Sequence, residues 1–220
     1  MFVKSFVIIG LGRFGNAVAR ELYRRGNEVL AIDMDEDAVQ RIADFVTHAV
    51  VGDAKDENVL RSIGVRNFDC AVVAIASDIQ DSVLVTLMLK EWGVKFIVAK
   101  AQSQMHSKVL QRIGADKVVF PEEDMGNRLA QTLSSSNVID FIELSQDFSI
   151  VEIHPPQSWS NKTLSELSVR ARFGVNVLAV RGEDRDIVTI SPTADQIIHQ
   201  GDVLIVIGAN DDIERLGNLR

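Results

Sequence analysis

The sequence has little cysteine and no long apolar run. Its single cysteine, Cys70, excludes an internal disulfide and any metal cage built from several cysteines, and its strand-like surroundings indicate a small core residue. No apolar segment reaches the length of a membrane span, and Met1-Phe2-Val3-Lys4 leads into the first predicted strand without a signal peptide. We therefore expect a cytoplasmic protein with no segment inserted in a membrane.

Positive charge is also in the minority. The 23 Lys and Arg residues face 31 Asp and Glu residues, for a net charge of −8, which disfavours binding to nucleic acid polymers. The four histidines show no common spacing to a nucleophile, a carboxylate or a second metal ligand; they are His48, His106, His154 and His199. The sequence therefore offers no evident carrier of acid–base catalysis, and we expect no enzyme activity.

The most informative stretch is Gly10-Leu11-Gly12-Arg13-Phe14-Gly15, which lies between an apolar β-branched run and an amphipathic segment. This order predicts a strand, a glycine turn and a helix. In such a turn Gly10 permits the tight bend, Gly12 lets backbone N–H groups approach a phosphate, and Gly15 lets the helix pack against the strand. The helix N-terminus that follows attracts anions.

The second part of a dinucleotide-binding fingerprint follows about twenty residues later. Glu28-Val29-Leu30-Ala31-Ile32 reads as the next strand and ends at Asp33, followed by Met34 and Asp35. A carboxylate at this place accepts hydrogen bonds from ribose hydroxyls, and its charge disfavours the 2′-phosphate of NADP. The alternative is a glycine turn with an unrelated aspartate that caps the next helix.

Strands and helices continue to alternate as far as residue 120. Further strands are expected at His48–Val51, Cys70–Ile75, Phe96–Ala99 and Lys117–Phe120, and helices at Glu57–Ile63, Asp78–Trp92 and Gln104–Ile113. Six such strands predict an α/β fold, a Rossmann-type doubly wound parallel sheet with the nucleotide across the carboxyl ends of its strands.

The pattern changes after one more helix, which begins at Pro121. The run Ser134-Ser135-Ser136-Asn137 breaks the alternation, so we place a domain boundary between residues 135 and 136. Residues 1–135 form the nucleotide-binding domain with this crossover helix, and residues 136–220 form a small α+β domain. Its expected strands are 138–144, 149–153, 175–181, 187–190 and 202–207, with a helix at 163–171.

Several polar residues are expected to face the nucleotide at the strand ends. They are Asp53 and Ala54 after the third strand, Ala76 and Ser77 with Asp78 after the fourth, and Lys100 after the fifth. The two aspartates are equally typical of helix caps, and the lysine of a solvated surface.

Arg13 lies inside the glycine turn, where a guanidinium can reach a terminal phosphate. A dehydrogenase usually has a neutral side chain there. The alternative is a surface arginine.

Six segments together resemble the regulatory subunit of bacterial Trk/Ktr potassium uptake systems, which is built from an RCK domain. They are Gly10–Gly15, Ala31–Asp33, Val51–Ala54, Ile113–Asp116, Pro121–Gly126 and Val169–Gly174. The resemblance implies homodimers that assemble into an octameric ring beneath a membrane potassium-translocating partner. It further implies that ATP favours an active ring and ADP an inactive one, while some relatives bind NAD(H).

The resemblance also implies two further ligands. A cation, Mg²⁺, Ca²⁺ or Na⁺, would lie beside Glu122, although the acidic residues there also suit a helix N-terminus without any metal. Cyclic di-AMP would bind between subunits in the C-terminal domain, with Arg170, Val175, Val177 and Pro192 as the candidate residues.

Two other functions stay open at this stage. A small NAD-dependent dehydrogenase shares the fold but needs an acid or base beside the nicotinamide. A free-standing nucleotide sensor without a membrane partner shares both the fold and the ligand.

Overall fold

The computed structural model describes residues 3–75, 78–134, 137–145, 147–183 and 187–217, without the side chain of Gln131. The predicted site residues Ala76 and Ser77 lie outside these described residues. The chain divides into two compact units, Met1–Glu122 and Glu123–Arg220. This division falls inside a helix, so the domain boundary after residue 135 stays a prediction.

The first unit is built on six parallel strands in the order β3-β2-β1-β4-β5-β6. They are β1 (Ser5–Ile9), β2 (Glu28–Asp33), β3 (His48–Val51), β4 (Cys70–Val73), β5 (Ile97–Lys100) and β6 (Lys117–Val119). Val7 on the central strand lies opposite Leu30 on one side and Ala71 on the other. This order confirms the predicted doubly wound sheet.

Helices connect these strands. They are α1 (Arg13–Arg24), α2 (Glu36–Ile42), α3 (Glu57–Ser62), α4 (Ile79–Glu91), α5 (Gln104–Ile113) and α6 (Pro121–Ser134). Asp35, Asp56, Asp78 and Ser103 each cap a helix by accepting a backbone N–H bond. Among the described residues, no helix has both the length and the apolar composition that crossing a bilayer requires.

The parallel sheet is covered on both faces. Val7 and Ile9 pack into one buried cluster, while Ile8 between them packs into a cluster on the opposite face. Because both faces are buried, the strands read as continuous apolar runs rather than as an alternation.

The second unit contains a five-stranded antiparallel sheet in the order β11-β10-β13-β8-β7 and a separate β12-β9 pair. Its strands are β7 (Val138–Glu143), β8 (Phe148–Ile153), β9 (Lys162–Thr163), β10 (Asn176–Arg181), β11 (Val188–Ile190), β12 (Ile197–Ile198) and β13 (Val203–Ala209). Its further helices are α7 (Leu164–Leu167), α8 (Val169–Phe173) and α9 (Asn210–Gly217). The α+β class predicted for the second part of the chain is thus confirmed.

The details of the second unit differ from the sequence prediction. The single helix expected over 163–171 is two helices, because Ser168 adopts a left-handed conformation with φ 47° between them. The β9-β12 pair and α9 were not predicted. In the first unit, β4 ends at Val73 rather than Ile75, and β5 runs one residue further, to Lys100.

Candidate nucleotide-binding site

The glycine turn between β1 and α1 has the tight geometry that the sequence predicts. Gly10 has φ +97°, which side-chain-bearing residues rarely adopt, and its N–H donates to the carbonyl of Ile32 at 2.9 Å. A Cβ placed on Gly15 would overlap the carbonyl oxygen of Gly10. Both glycines are therefore required for α1 to begin so close to the strand.

Gly12 faces open space instead. A Cβ placed on Gly12 would find no atom within 4 Å, and this residue is the N-cap of α1 without a capping side chain. The first-turn N–H groups of a helix have no partner within the helix, and its dipole is positive at this end. The geometry therefore leaves room for an anion at the start of α1.

A cavity of about 360 Å³ lies beside this turn, at the carboxyl ends of the central strands. It brings together eight of the predicted residues: Gly10, Leu11, Gly12, Asp33, Met34, Asp35, Asp53 and Ala54. β1 lies between β2 and β4, so the cavity occupies the point where the strand order reverses. Ligands of open α/β sheets bind at this point.

Asp33 is engaged within the turn itself. Its Oδ2 accepts a hydrogen bond from the Leu11 N–H at 2.5 Å, and its Oδ1 accepts one from the Asp35 N–H at 3.0 Å. Sequence reasoning assigned Asp33 to ribose and missed this contact with the glycine turn. The carboxylate thus holds the turn and lines the cavity at once.

A charged contact that the sequence did not reveal joins two residues that line the cavity, Asp53 and Asp81. The Nζ of Lys55 lies 3.0 Å from Oδ2 of Asp81 and 3.9 Å from Oδ2 of Asp53. The hydrogen bond with Asp81, together with the charge of Asp53, raises the pKa of Lys55. The sequence could indicate Asp81 only as an acidic residue in the first turn of α4.

Arg41 is a second residue that sequence reasoning missed. It lines the cavity and also an adjoining depression beside Gly12, Arg13 and Asn16. Its carbonyl accepts a hydrogen bond from Arg20, whose Nε also donates to Asn16. Arg41 lies in the last turn of α2 rather than at a strand end, so the rule that locates Rossmann sites does not find it.

Lys100 is not the solvated surface lysine considered as an alternative. Its side chain is only 9% exposed, and its Nζ lies 2.5 Å from Oε1 of Glu122, whose side chain is 69% exposed. The ammonium also lies 5.9 Å from the ring centroid of Phe14, in the first turn of α1. The hydrogen bond from Lys100 lowers the pKa of Glu122, and the charge of Arg13 adds to this effect.

Few described side chains of one chain are arranged to bind a cation at the candidate metal site beside Glu122. Among the described residues, no group of three or more His, Cys, Asp or Glu side chains is arranged to hold a metal ion. Glu122 supplies a carboxylate, a donor that suits a hard cation, and its partner in the structure is Lys100.

The residues predicted for a second ligand are spread over the second unit. Arg170 is exposed on α8, and Pro192 is half-buried after β11. Val175 is fully buried in the core, and Val177 packs against the same core. In this structure the two valines therefore contribute to packing, and their role in ligand binding stays a prediction.

The fold and the cavity define a Rossmann-type domain with a cavity at its switch point, followed by a small α+β unit. The chain belongs to the family with a TrkA-N domain, matched over residues 6–121, and a TrkA-C domain, matched over residues 148–219. It is 49% identical over 213 residues to Ktr system potassium uptake protein C of Bacillus subtilis, covering 96% of this chain and 95% of that protein. It is 44% identical over 215 residues to Ktr system potassium uptake protein A of the same organism, covering 98% and 96%. The resemblance to Trk/Ktr regulatory subunits is thereby confirmed.

Solved structures agree on the fold. The RCK domain of GsuK matches with a TM-score of 0.69 at 20% identity, over 99% of this chain and 48% of that one. The GsuK channel bound to NAD matches with a TM-score of 0.53 at 27% identity, over 97% and 38%. GsuK bound to ADP matches with a TM-score of 0.52 at 30% identity, over 59% and 34%. The chain thus spans less than half the length of these structures.

Proposed function

We propose that this chain is the cytoplasmic, nucleotide-gated regulatory subunit of a bacterial potassium uptake system, acting on a membrane potassium-translocating partner. The observation that carries the proposal is the 360 Å³ cavity formed by the glycine turn and Asp33. The relatives that share nearly the whole chain are potassium uptake proteins. Binding in the cavity is the signal, and potassium flux through the partner is the response.

The ligand we propose is ATP or ADP, with NAD(H) as the alternative. GsuK structures with NAD and with ADP support an adenine nucleotide in this type of fold. Asp33 places a negative charge beside the expected ribose, which disfavours a 2′-phosphate. Arg13 and Lys100 supply positive charge where the phosphates would lie.

A nucleotide can gate the protein only through its differential affinity for two conformations. ATP carries more negative charge than ADP beyond the pyrophosphate, and a guanidinium forms strong bidentate contacts with phosphate. We therefore assign Arg13 to the terminal phosphate of ATP, with a better contact in the active conformation.

Paired titrations of Arg13→Ala with ATP and ADP test this proposal. We expect nearly unchanged ADP affinity, weaker ATP affinity and blunted ATP-stimulated potassium flux through the partner. Arg24→Ala is the matched control, because Arg24 lies at the far end of α1 in an exposed ion pair with Glu21. An equal loss for ATP and ADP would limit Arg13 to support of the turn, and no loss for either would place it on the surface.

For assembly we propose homodimers that build an octameric ring. The apolar side chains Met125, Leu129 and Leu133 share one face of α6, and all three are exposed in the single chain. An exposed apolar stripe of this kind suits a contact with a second copy. Native mass spectrometry should find eight copies, and Leu129→Glu should reduce that number; a monomeric wild type would contradict the proposal.

We further propose a cation, Mg²⁺, Ca²⁺ or Na⁺, beside Glu122. Among the described residues of one chain no group of three or more His, Cys, Asp or Glu side chains could hold the ion, so it would need oxygens from a second copy or from the nucleotide. A bound cation would offset the repulsion between carboxylates from two copies. ATP affinity should then rise when Mg²⁺ or Ca²⁺ is added, and an affinity indifferent to both ions would remove the site.

Cyclic di-AMP is the proposed second ligand, bound by Arg170 of two copies at a two-fold interface. Arg170 is exposed and therefore accessible to a phosphate. Calorimetry on the full chain should show heat with cyclic di-AMP and less heat for Arg170→Ala. The absence of heat from the wild type would reject this assignment.

A further inference from the structure

The two partners of the ion pair between Lys100 and Glu122 differ in their exposure to solvent. The ammonium is buried at the end of β5, while the carboxylate that holds it is mostly exposed in the first turn of α6. A buried ammonium is costly without an anionic partner, whereas an exposed carboxylate loses little when its partner leaves. Lys100 therefore requires an anion, and Glu122 has little need of Lys100.

The pair also lies beside the anion-binding turn. The Lys100 ammonium is 5.9 Å from the ring of Phe14, which is two residues beyond the open Gly12. The charge of Arg13 also helps to lower the pKa of Glu122, after the larger effect of the hydrogen bond from Lys100. A carboxylate in contact with this lysine offers a negative charge and hydrogen-bond-accepting oxygens, as a terminal phosphate also does.

We propose that Glu122 is a built-in substitute for the terminal phosphate of the bound nucleotide. In the nucleotide-free chain its carboxylate holds Lys100. When ATP enters, Lys100 exchanges Glu122 for the phosphate, and Glu122 is released at the first turn of α6. This inference rests on the proposed nucleotide site and adds how the site reports its occupancy.

The exchange predicts that removing the substitute strengthens nucleotide binding. While Glu122 holds Lys100, only a fraction of the protein is competent to bind phosphate, and the apparent affinity is reduced by that fraction. In metal-free buffer with EDTA, Glu122→Gln should bind ATP about 3- to 10-fold more tightly than the wild type. Lys100→Met should bind ATP more weakly, and AMP affinity should change in neither variant.

The double variant distinguishes exchange from two independent effects. If Glu122 acts through Lys100, Glu122→Gln has no effect in the Lys100→Met background, so the two changes are not additive. Lys95→Met is the matched control, because Lys95 lies before the opposite end of β5 and forms a 2.7 Å ion pair with Asp69 there. Its ATP affinity should equal that of the wild type.

Thermal unfolding gives a second test that does not require a binding titration. Without nucleotide, Glu122→Gln should melt at a lower temperature, because the buried ammonium has lost its anion. Saturating ATP should then raise its melting temperature by more than it raises that of the wild type.

Two results would overturn the exchange. One is unchanged or weaker ATP binding by Glu122→Gln, and the other is a gain that persists in the double variant. If the wild type binds ATP and Glu122→Gln shows no gain, the exchange fails while the proposed function stands. If the wild type binds no nucleotide, both fail.

Discussion

The two units of this chain use their strands in different ways. In the first unit all six strands are parallel, and residues such as Ile8 and Ile9 are buried on both faces of the sheet. In the second unit the main sheet is antiparallel, and β11 is exposed along its whole length. Parallel sheets need cover on both faces, whereas antiparallel sheets tolerate one open face.

This difference explains where the candidate site lies. Parallel strands need crossover connections, so all their carboxyl ends, and the turns that follow them, meet at one edge of the sheet. The glycine turn, Asp33 and Asp53 converge there although they are distant in sequence. In the second unit neighbouring strands run in opposite directions, so the turns are divided between two edges.

The largest expected effect tests the contrast between the buried core of the second unit and its exposed strand β11. Leu204 is fully buried on β13, and Leu204→Ala should lower the free energy of unfolding by about 2–5 kcal/mol. Ile190→Ala is the control, since Ile190 is exposed on β11 and its loss should cost less than about 0.5 kcal/mol. Urea denaturation measures both. An equal loss of unfolding free energy in the two variants would contradict the contrast between buried and exposed positions.

The next effect separates Gly15, which has no room for a side chain, from Gly12, which faces open space. A Cβ on Gly15 would overlap the backbone of Gly10, so Gly15→Ala should cost about 3 kcal/mol of unfolding free energy. Gly12→Ala should remain within about 1 kcal/mol of the wild type, because its Cβ meets open space. Calorimetry should nevertheless find weaker nucleotide binding in Gly12→Ala. If Gly12→Ala binds normally, the phosphate does not lie at this turn.

A smaller effect concerns the carboxylate that lines the cavity. Asp33→Ala should weaken binding of ATP and of NAD by about 1.5–3 kcal/mol, the value of a charge-assisted hydrogen bond. Asp33→Asn keeps an acceptor for the Leu11 N–H but loses the charge, so its affinity should be intermediate. Unchanged affinity in Asp33→Ala would remove this residue from the site.

The smallest effect is a pH dependence in the first unit. Burial raises the pKa of the Cys70 thiol from 9.0 to about 11, with the charge of Asp116 contributing. Because the folded pKa is the higher one, the neutral thiol stabilises the fold below pH 9, and this contribution is lost as the pH rises to 11. The stability of the wild type relative to Cys70→Ala should fall across that interval in denaturation curves. A difference in stability between the two proteins that does not change with pH would contradict the raised pKa of Cys70.

The sequence was sufficient wherever local spacing determines structure. The order of strand, glycine turn, helix and Asp33 runs from Ser5 to Asp33, and each step follows from backbone sterics or periodicity. The six parallel strands follow from the same alternation. These predictions agree with the structure.

The remaining features depend on packing between distant segments. Arg41 and Asp81 lie on helices, and only the folded chain brings them to the cavity. The break at Ser168 places a non-glycine residue at positive φ, which sequence patterns do not indicate. Strands β9 and β12 have two residues each, too short for any alternation to be seen.

The position of β1 at the centre of the sheet has a consequence for biosynthesis. Phe6 pairs with Val29 on one side, but its partner on the other side is Cys70, 64 residues later. At a translation rate of about 5–20 residues per second, those 64 residues take roughly 3 to 13 seconds to synthesise. During that interval the nascent chain presents an apolar strand edge whose partner, β4, has not yet been made, and such an edge is open to pairing with other chains.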